Sequence, residues 1–209
     1  MRKLLLETLI ILKKKTMLLT AGSSLLSAIV IAGCAFSRAG YESPKYSVLK
    51  KDAAFEVREY PDLTTVATPM DGRGPDKGNS FRRLFRYISG DNASEEKIAM
   101  TTPVFSTDSG GSQEMVFVVP RAVADAGKVP APNNEALKVE KMQGGKFASY
   151  RFSGSWDEAR EEKAKRALLD WASREGLTTT GRPMMANYDP PFTPSFLRRN
   201  EALIRLRDE

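Results

Sequence analysis

Residues 79–105, NSFRRLFRYISGDNASEEKIAMTTPVF, carry both the clearest helix and the most distinctive segment of the chain. Phe81, Leu84, Phe85 and Ile88 recur at i, i+3, i+4 and i+7, which puts four large apolar groups on one helical stripe. Asn79 or Ser80 can accept a hydrogen bond from the first free amides, and Gly90 supplies the left-handed residue that ends the element. The predicted helix is therefore short, about three turns. Its other face holds Arg82, Arg83 and Arg86, so one small element sets apolar bulk beside three positive charges. That is a bed for an amphipathic anion.

The chain begins with a segment that reads as targeting. Residues 1–34 have a basic start and then an apolar, uncharged run from 17 to 33, the pattern of a secretory signal. The run ends in Ile31-Ala32-Gly33-Cys34, which resembles a bacterial lipobox, in which the Cys becomes the acylated N-terminus. A simple membrane-spanning anchor is the alternative, although such a span has no need of the protein's one Cys at its exit. Met17 offers a second start, one that would discard the basic residues a signal needs. Residues 35–44 then read as a tether.

Of 32 basic and 26 acidic residues, five and one fall in this first segment, leaving a net charge of only +2. So modest a charge gives no reason to propose nucleic acid as a partner. The 176 residues from Cys34 onward suffice for one domain with a proper core. With Cys34 lipidated no thiol is left, and the chain has no His, which removes most familiar metal sites, triads and proton shuttles. No Asp or Glu pair stands at a recognisable catalytic spacing, so neither a catalytic nor a metal site is expected.

From residue 45 the pattern of two strands, a helix and two strands occurs twice. In the first half, residues 55–60 (FEVREY) alternate, 63–68 (LTTVAT) are β-branched, and 98–105 and 114–119 follow the helix. Pro103 confines the third of these strands to an edge, an end or a bulge. In the second half come residues 137–142 and 146–152, whose Gly144-Gly145 link predicts a hairpin. A helix from Ser155 follows, with Glu158 completing a capping box and Ala164, Ala167, Leu168, Trp171 and Ala172 as its apolar stripe. Pairs of Glu161 with Lys165 and Glu162 with Arg166 support it. Residues 182–188 and 202–207 supply the last strands, either side of the stiff loop DPPFTPSF. The expected fold is α+β: an eight-stranded, distorted antiparallel β-barrel built from two β-β-α-β-β repeats, with two flanking helices.

FEVREYP, FRRLFRYISGDN, KIAMTTPVF and YDPPFTPSFLRRNE, in that order and at fitting intervals, resemble the SOUL haem-binding protein family over nearly all of residues 45–207. The resemblance implies the same eight-stranded duplicated fold, related to bacterial effector-binding domains. It also implies reversible binding of haem or another tetrapyrrole without catalysis. Carried onto this chain, Phe81 and Phe85 line the porphyrin, Arg86 meets a propionate and Tyr188 lies nearby; Arg82 and Met100 join them by helical position and sequence proximity. Some family members have been proposed to ligate iron through His, and this chain cannot. Binding is then expected to rest on apolar burial and propionate pairing.

The same stripe is equally the ordinary signature of a helix packed on a core, and an Arg triplet that of a solvated face. Either the helix is rotated so that part of the stripe lines a cleft, or the ligand lies elsewhere. Two other functions stay open: a module for a different small amphipathic ligand, and an envelope scaffold using the DPPFTP loop as contact surface. Lipidation at Cys34 would place the domain on a membrane facing the periplasm, and Ala35 fits the outer-membrane pattern of enteric bacteria.

Overall fold

The computed structural model describes residues 40–70, 77–109 and 111–207. Its strands are β1 Ser47–Asp52, β2 Phe55–Tyr60, β3 Leu63–Pro69, β4 Val104–Ser109, β5 Ser112–Val118, β6 Lys138–Met142, β7 Gly145–Phe152, β8 Thr179–Asn187 and β9 Asn200–Leu206. The helices are α1 Lys77–Ile88, α2 Arg121–Asp125 and α3 Glu158–Arg174. The signal, the lipobox at Cys34 and most of the tether lie outside the described residues. Among those described, no helix is long and apolar enough to cross a membrane.

All nine strands join one antiparallel sheet in the order β1-β2-β7-β9-β8-β4-β5-β3-β6. Setting β1 aside, exchanging β2 with β6, β3 with β7, β4 with β8 and β5 with β9 reverses that order without changing any neighbour. The duplication read in the sequence is thus a pseudo-twofold of the sheet, its axis passing between β4 and β8 at the pairing Phe105↔Ala186.

The repeats interlock. The first strand of each pairs with the second strand of the other: β2 with β7 at Val57↔Ala148 and β3 with β6 at Thr65↔Glu140. The Gly144-Gly145 hairpin is therefore not formed, because β6 and β7 leave to different partners. Gly144 serves a close backbone crossing instead: a Cβ there would stand 2.4 Å from the carbonyl oxygen of Tyr60 and 2.7 Å from the amide of Asp62. The Gly144 N–H donates to Asp62 Oδ1 at 2.7 Å, pinning the two tight links together.

Two further expectations are corrected. Among the described residues there are nine strands, the extra one being β1, whose side chains are all exposed and which carries no buried alternation to mark it. The sheet is also not a closed barrel, since no ladder joins its edges β1 and β6 among the described residues. It is nevertheless strongly curved. Its concave face gathers Tyr60, Ala67, Phe105, Val116, Phe147, Ala186 and Leu203 from seven strands into one cluster.

The helices cover the opposite face. Leu84, Tyr87 and Ile88 of α1 pack on Val66 and Phe117, which alternate along β3 and β5 with the concave residues Ala67 and Val116. Ala164, Leu168, Trp171 and Ala172 of α3 pack on Ala148, Met185, Ala202 and Ile204, as expected. The N-cap of α3 is Asp157, which accepts from the Arg160 amide at 2.9 Å, while Ser155 donates to Asp157; the predicted cap was two residues early. Lys165 pairs with Glu162 at 2.9 Å, i to i+3.

The segment 98–105 is strand only from Val104, immediately after Pro103; before it Thr101 makes one parallel bridge to Glu42.

Candidate functional site

Helix α1 begins at Lys77, two residues before the expected cap, so Ser80 lies within its first turn and donates to the Pro69 carbonyl at 3.1 Å. Gly90, at φ +114°, ends it as expected. Asn92 then folds the chain back: its Nδ2 donates to the carbonyls of Tyr87 at 2.9 Å and Glu96 at 2.7 Å. Its Oδ1 accepts from the amides of Ser94 and Glu96, both at 3.2 Å.

These restraints set the rotation of α1, and the rotation divides the stripe. Leu84 and Tyr87 are fully buried, and Tyr87 donates its hydroxyl to the Pro130 carbonyl at 2.8 Å. Phe81 and Phe85 are 42% and 49% exposed. Their rings stack at 5.9 Å and 14°, and the far edge of Phe81 leans on Phe117 in a T-shaped contact at 5.4 Å. The helix therefore presents a flat, half-exposed aromatic pair to solvent.

The cations beside that pair differ in their engagements. Arg83 is tied to the body of the domain, donating to Thr68 Oγ1 at 3.0 Å and to the Pro69 carbonyl at 2.5 Å. Arg86 is exposed and pairs with exposed Asp91 at 2.8 Å, an ion pair that solvent screens and a competing anion can displace. Arg82 is exposed and has no ion-pair partner among the described residues. Met100 is half-buried against the same cluster as Leu84. Phe81, Phe85, Arg82 and Arg86 thus share the exposed side of α1, and Met100 packs against the core cluster that the helix covers.

Tyr188 does neither. It is buried in the concave cluster, where its hydroxyl donates to Glu201 Oε2 at 3.1 Å and Arg199 lies 3.9 Å over its ring. Arg58 donates to both oxygens of Glu201, at 2.6 and 3.1 Å, and Arg199 donates to Oε1 at 2.7 Å. Burial by itself would raise the Glu201 pKa, but the two guanidiniums outweigh it and hold it below the usual carboxylate range. Burial pushes the Tyr60 hydroxyl, at the same network, up to about 12. Sequence reading missed this network because Arg58 and Glu201 are 143 residues apart and look like the polar half of alternating strands.

The concave face holds little space. The apolar gap between Tyr60, Leu63, Phe105, Met142, Phe147 and Leu203 has a volume of about 10 Å³, room for about one water. A wider hollow of about 440 Å³ lies open to solvent beside Lys45, Tyr46, Glu59 and Tyr60. Neither contains a residue of α1. A flat ligand at Phe81 and Phe85 would lie on the surface of the helix.

The donor set bears on iron as well. The chain has no His, and the hydroxyls of Tyr87 and Tyr188 are spent on a carbonyl and a carboxylate. Among the described residues no cluster of three or more His, Cys, Asp or Glu could hold a metal ion. What α1 offers is a half-exposed aromatic pair beside two exposed guanidiniums.

Comparison with known proteins agrees with the architecture. Heme-binding protein 1 of Xenopus tropicalis is 29% identical over 162 residues, covering 73% of this chain and 83% of its own length. Heme-binding protein 1 of Mus musculus is 27% identical over 164 residues, covering 73% and 84%. Among solved structures, the C-terminal domain of EcmrR shares the fold with a TM-score of 0.53 at 12% identity, over 78% of this chain and 99% of that one. The family model described as SOUL heme-binding protein matches residues 41–205, and the chain belongs to that family.

Proposed function

We propose that the domain binds haem or a related tetrapyrrole, without catalysis, on the exposed aromatic face of α1. The observation that carries this reading is the division of the α1 stripe: Leu84, Tyr87 and Ile88 satisfy the core, and Phe81 and Phe85 are left stacked and half-exposed beside Arg82 and Arg86. A porphyrin laid on the two rings gains apolar burial, and its propionates reach the exposed guanidiniums. Met100 borders the same cluster. Tyr188 enters this reading only as part of the buried frame. With no His in the chain, iron adds little, so iron-free protoporphyrin binds about as well as haem.

The rest of the reading concerns place. Residues 1–34 act as a lipoprotein signal, Cys34 carries the acyl chains, and the domain faces the periplasm from a membrane, the outer one where Ala35 follows the enteric rule.

The 440 Å³ hollow beside Lys45 and Tyr46 favours a second reading, a different small amphipathic ligand bound there. Titration with haem and with protoporphyrin, followed by absorbance and Trp quenching, separates the two. Saturable binding of both, weakened by Arg86→Glu and unchanged by Lys45→Glu, supports the α1 site. Loss with Lys45→Glu alone moves the site to the hollow, and no saturable binding of either compound removes the tetrapyrrole reading.

A further inference from the structure

The loop between β8 and β9 carries the two most exposed large apolar side chains among those described, Phe192 at 84% and Phe196 at 71%. The loop is held in shape from within. The Asp189 carboxylate accepts the Arg199 amide at 2.6 Å, and the Thr193 amide donates to the Pro190 carbonyl at 3.0 Å. Arg198 ties the tip together, donating to the carbonyls of Thr193, at 2.8 Å, and Pro191. Its guanidinium lies 4.7 Å over the ring of Trp156, which is 38% exposed and donates to Asn200 Oδ1 at 2.9 Å. Two projecting phenyl rings, a half-exposed indole and a guanidinium with no carboxylate partner among the described residues thus form one rigid prong.

The chain's attachment lies at the same end of the sheet. Glu42 bridges Thr101, and Ser43 hydrogen-bonds Thr102 at 2.9 Å, just before β4 begins at Val104. Val104 pairs with Asn187, the residue from which the prong loop departs. If Cys34 is the anchor, six residues separate it from Tyr41, at most about 25 Å of extended chain. A lipid anchor at Cys34 would keep the folded unit within that reach of a bilayer.

We propose that Phe192, Phe196 and Trp156 form a membrane-docking prong that inserts into the headgroup and acyl boundary of a lipid bilayer, with Arg198 meeting lipid phosphate. Aromatic side chains favour that depth, where an apolar body is buried and a polar edge stays wet. The preformed loop has little conformational freedom to lose on insertion. Such docking would fix the orientation of the domain on the membrane. The orientation rests on the proposed anchor, whereas insertion of the prong does not.

The test uses residues 41–209, which form one compact unit containing all three core clusters, with mixed phosphatidylcholine and phosphatidylglycerol vesicles. Co-sedimentation and a blue shift of Trp156 emission are expected. Phe192→Ser with Phe196→Ser should weaken partition on the order of tenfold per ring. A Phe192→Trp variant should be quenched by bromine-labelled acyl chains. No vesicle binding, or equal binding by the double variant, overturns the proposal. So does concentration-dependent self-association lost in the double variant with no vesicle binding, which would assign the prong to a second copy of the chain. Porphyrin titration of the same proteins reads the α1 site separately, so either proposal can fail alone.

Discussion

Arg58 and Glu201 meet as a buried two-pronged pair, 2.6 and 3.1 Å, that joins β2 to β9 across the intervening β7. Both side chains are all but excluded from solvent, and Arg199 and Tyr188 satisfy the remaining capacity of the carboxylate. Removing one partner of such a set leaves buried charge uncompensated. Glu201→Gln is expected to cost about 3–5 kcal/mol of folding stability. Because the folded pKa of Glu201 lies below its ordinary 4.5, its contribution is complete above that value and is lost as pH falls through the folded pKa. Urea midpoints measured from neutral pH down to the acid limb should therefore fall more steeply for the wild type than for Glu201→Gln.

Arg86 is held by Asp91 in an exposed pair that a propionate must displace. Asp91→Asn removes the competitor, and porphyrin affinity should rise, by no more than about fivefold given what exposed pairs contribute. The gain should shrink as salt is added, because the attraction it unmasks is screened. Fluorescence titration at two ionic strengths reads both effects.

Leu84 and Phe85 are sequence neighbours with opposite fates on α1. Leu84→Ala should destabilise the domain by ~2–5 kcal/mol, since it empties a fully buried position. Phe85→Ser should leave the thermal midpoint nearly unchanged and weaken porphyrin binding. A large loss of stability from Phe85→Ser, with binding intact, would make that ring structural and remove it from the site.

Gly144 stands where the two tight links cross. Gly144→Ala forces a methyl to within 2.4 Å of the Tyr60 carbonyl and 2.5 Å of Pro61, both backbone contacts that cannot swing aside. A destabilisation of about 1–3 kcal/mol is expected, read as a lowered melting temperature. Gly176→Ala, at a positive φ of +69° but with open space around it, should cost less.

The periods of residues 79–90 and 155–176 placed both large helices, and the repeated order of strands and helix announced the duplication, because local spacing alone carries that information. Sequence also placed Phe81, Phe85, Arg82 and Arg86 on one short helix. Where a partner strand comes from was beyond it. Alternation marks which side of a strand is buried but not which strand lies beside it, so the exchange of strands between repeats and the failed Gly144-Gly145 hairpin belong to tertiary structure. β1 escaped notice because an exposed edge strand has no buried alternation, and α2 because five residues are too few to show a period. The sequence could likewise show four apolar groups on one stripe without saying which of them the core would take. That depended on the rotation of α1, set by Ser80, Arg83 and Tyr87 donating to backbone carbonyls outside the helix and by Asn92 folding the chain back at its end. The pairing of Arg58 with Glu201 and the stacking of Arg198 on Trp156 have the same origin: each joins residues far apart in the chain that meet only once the strands have paired.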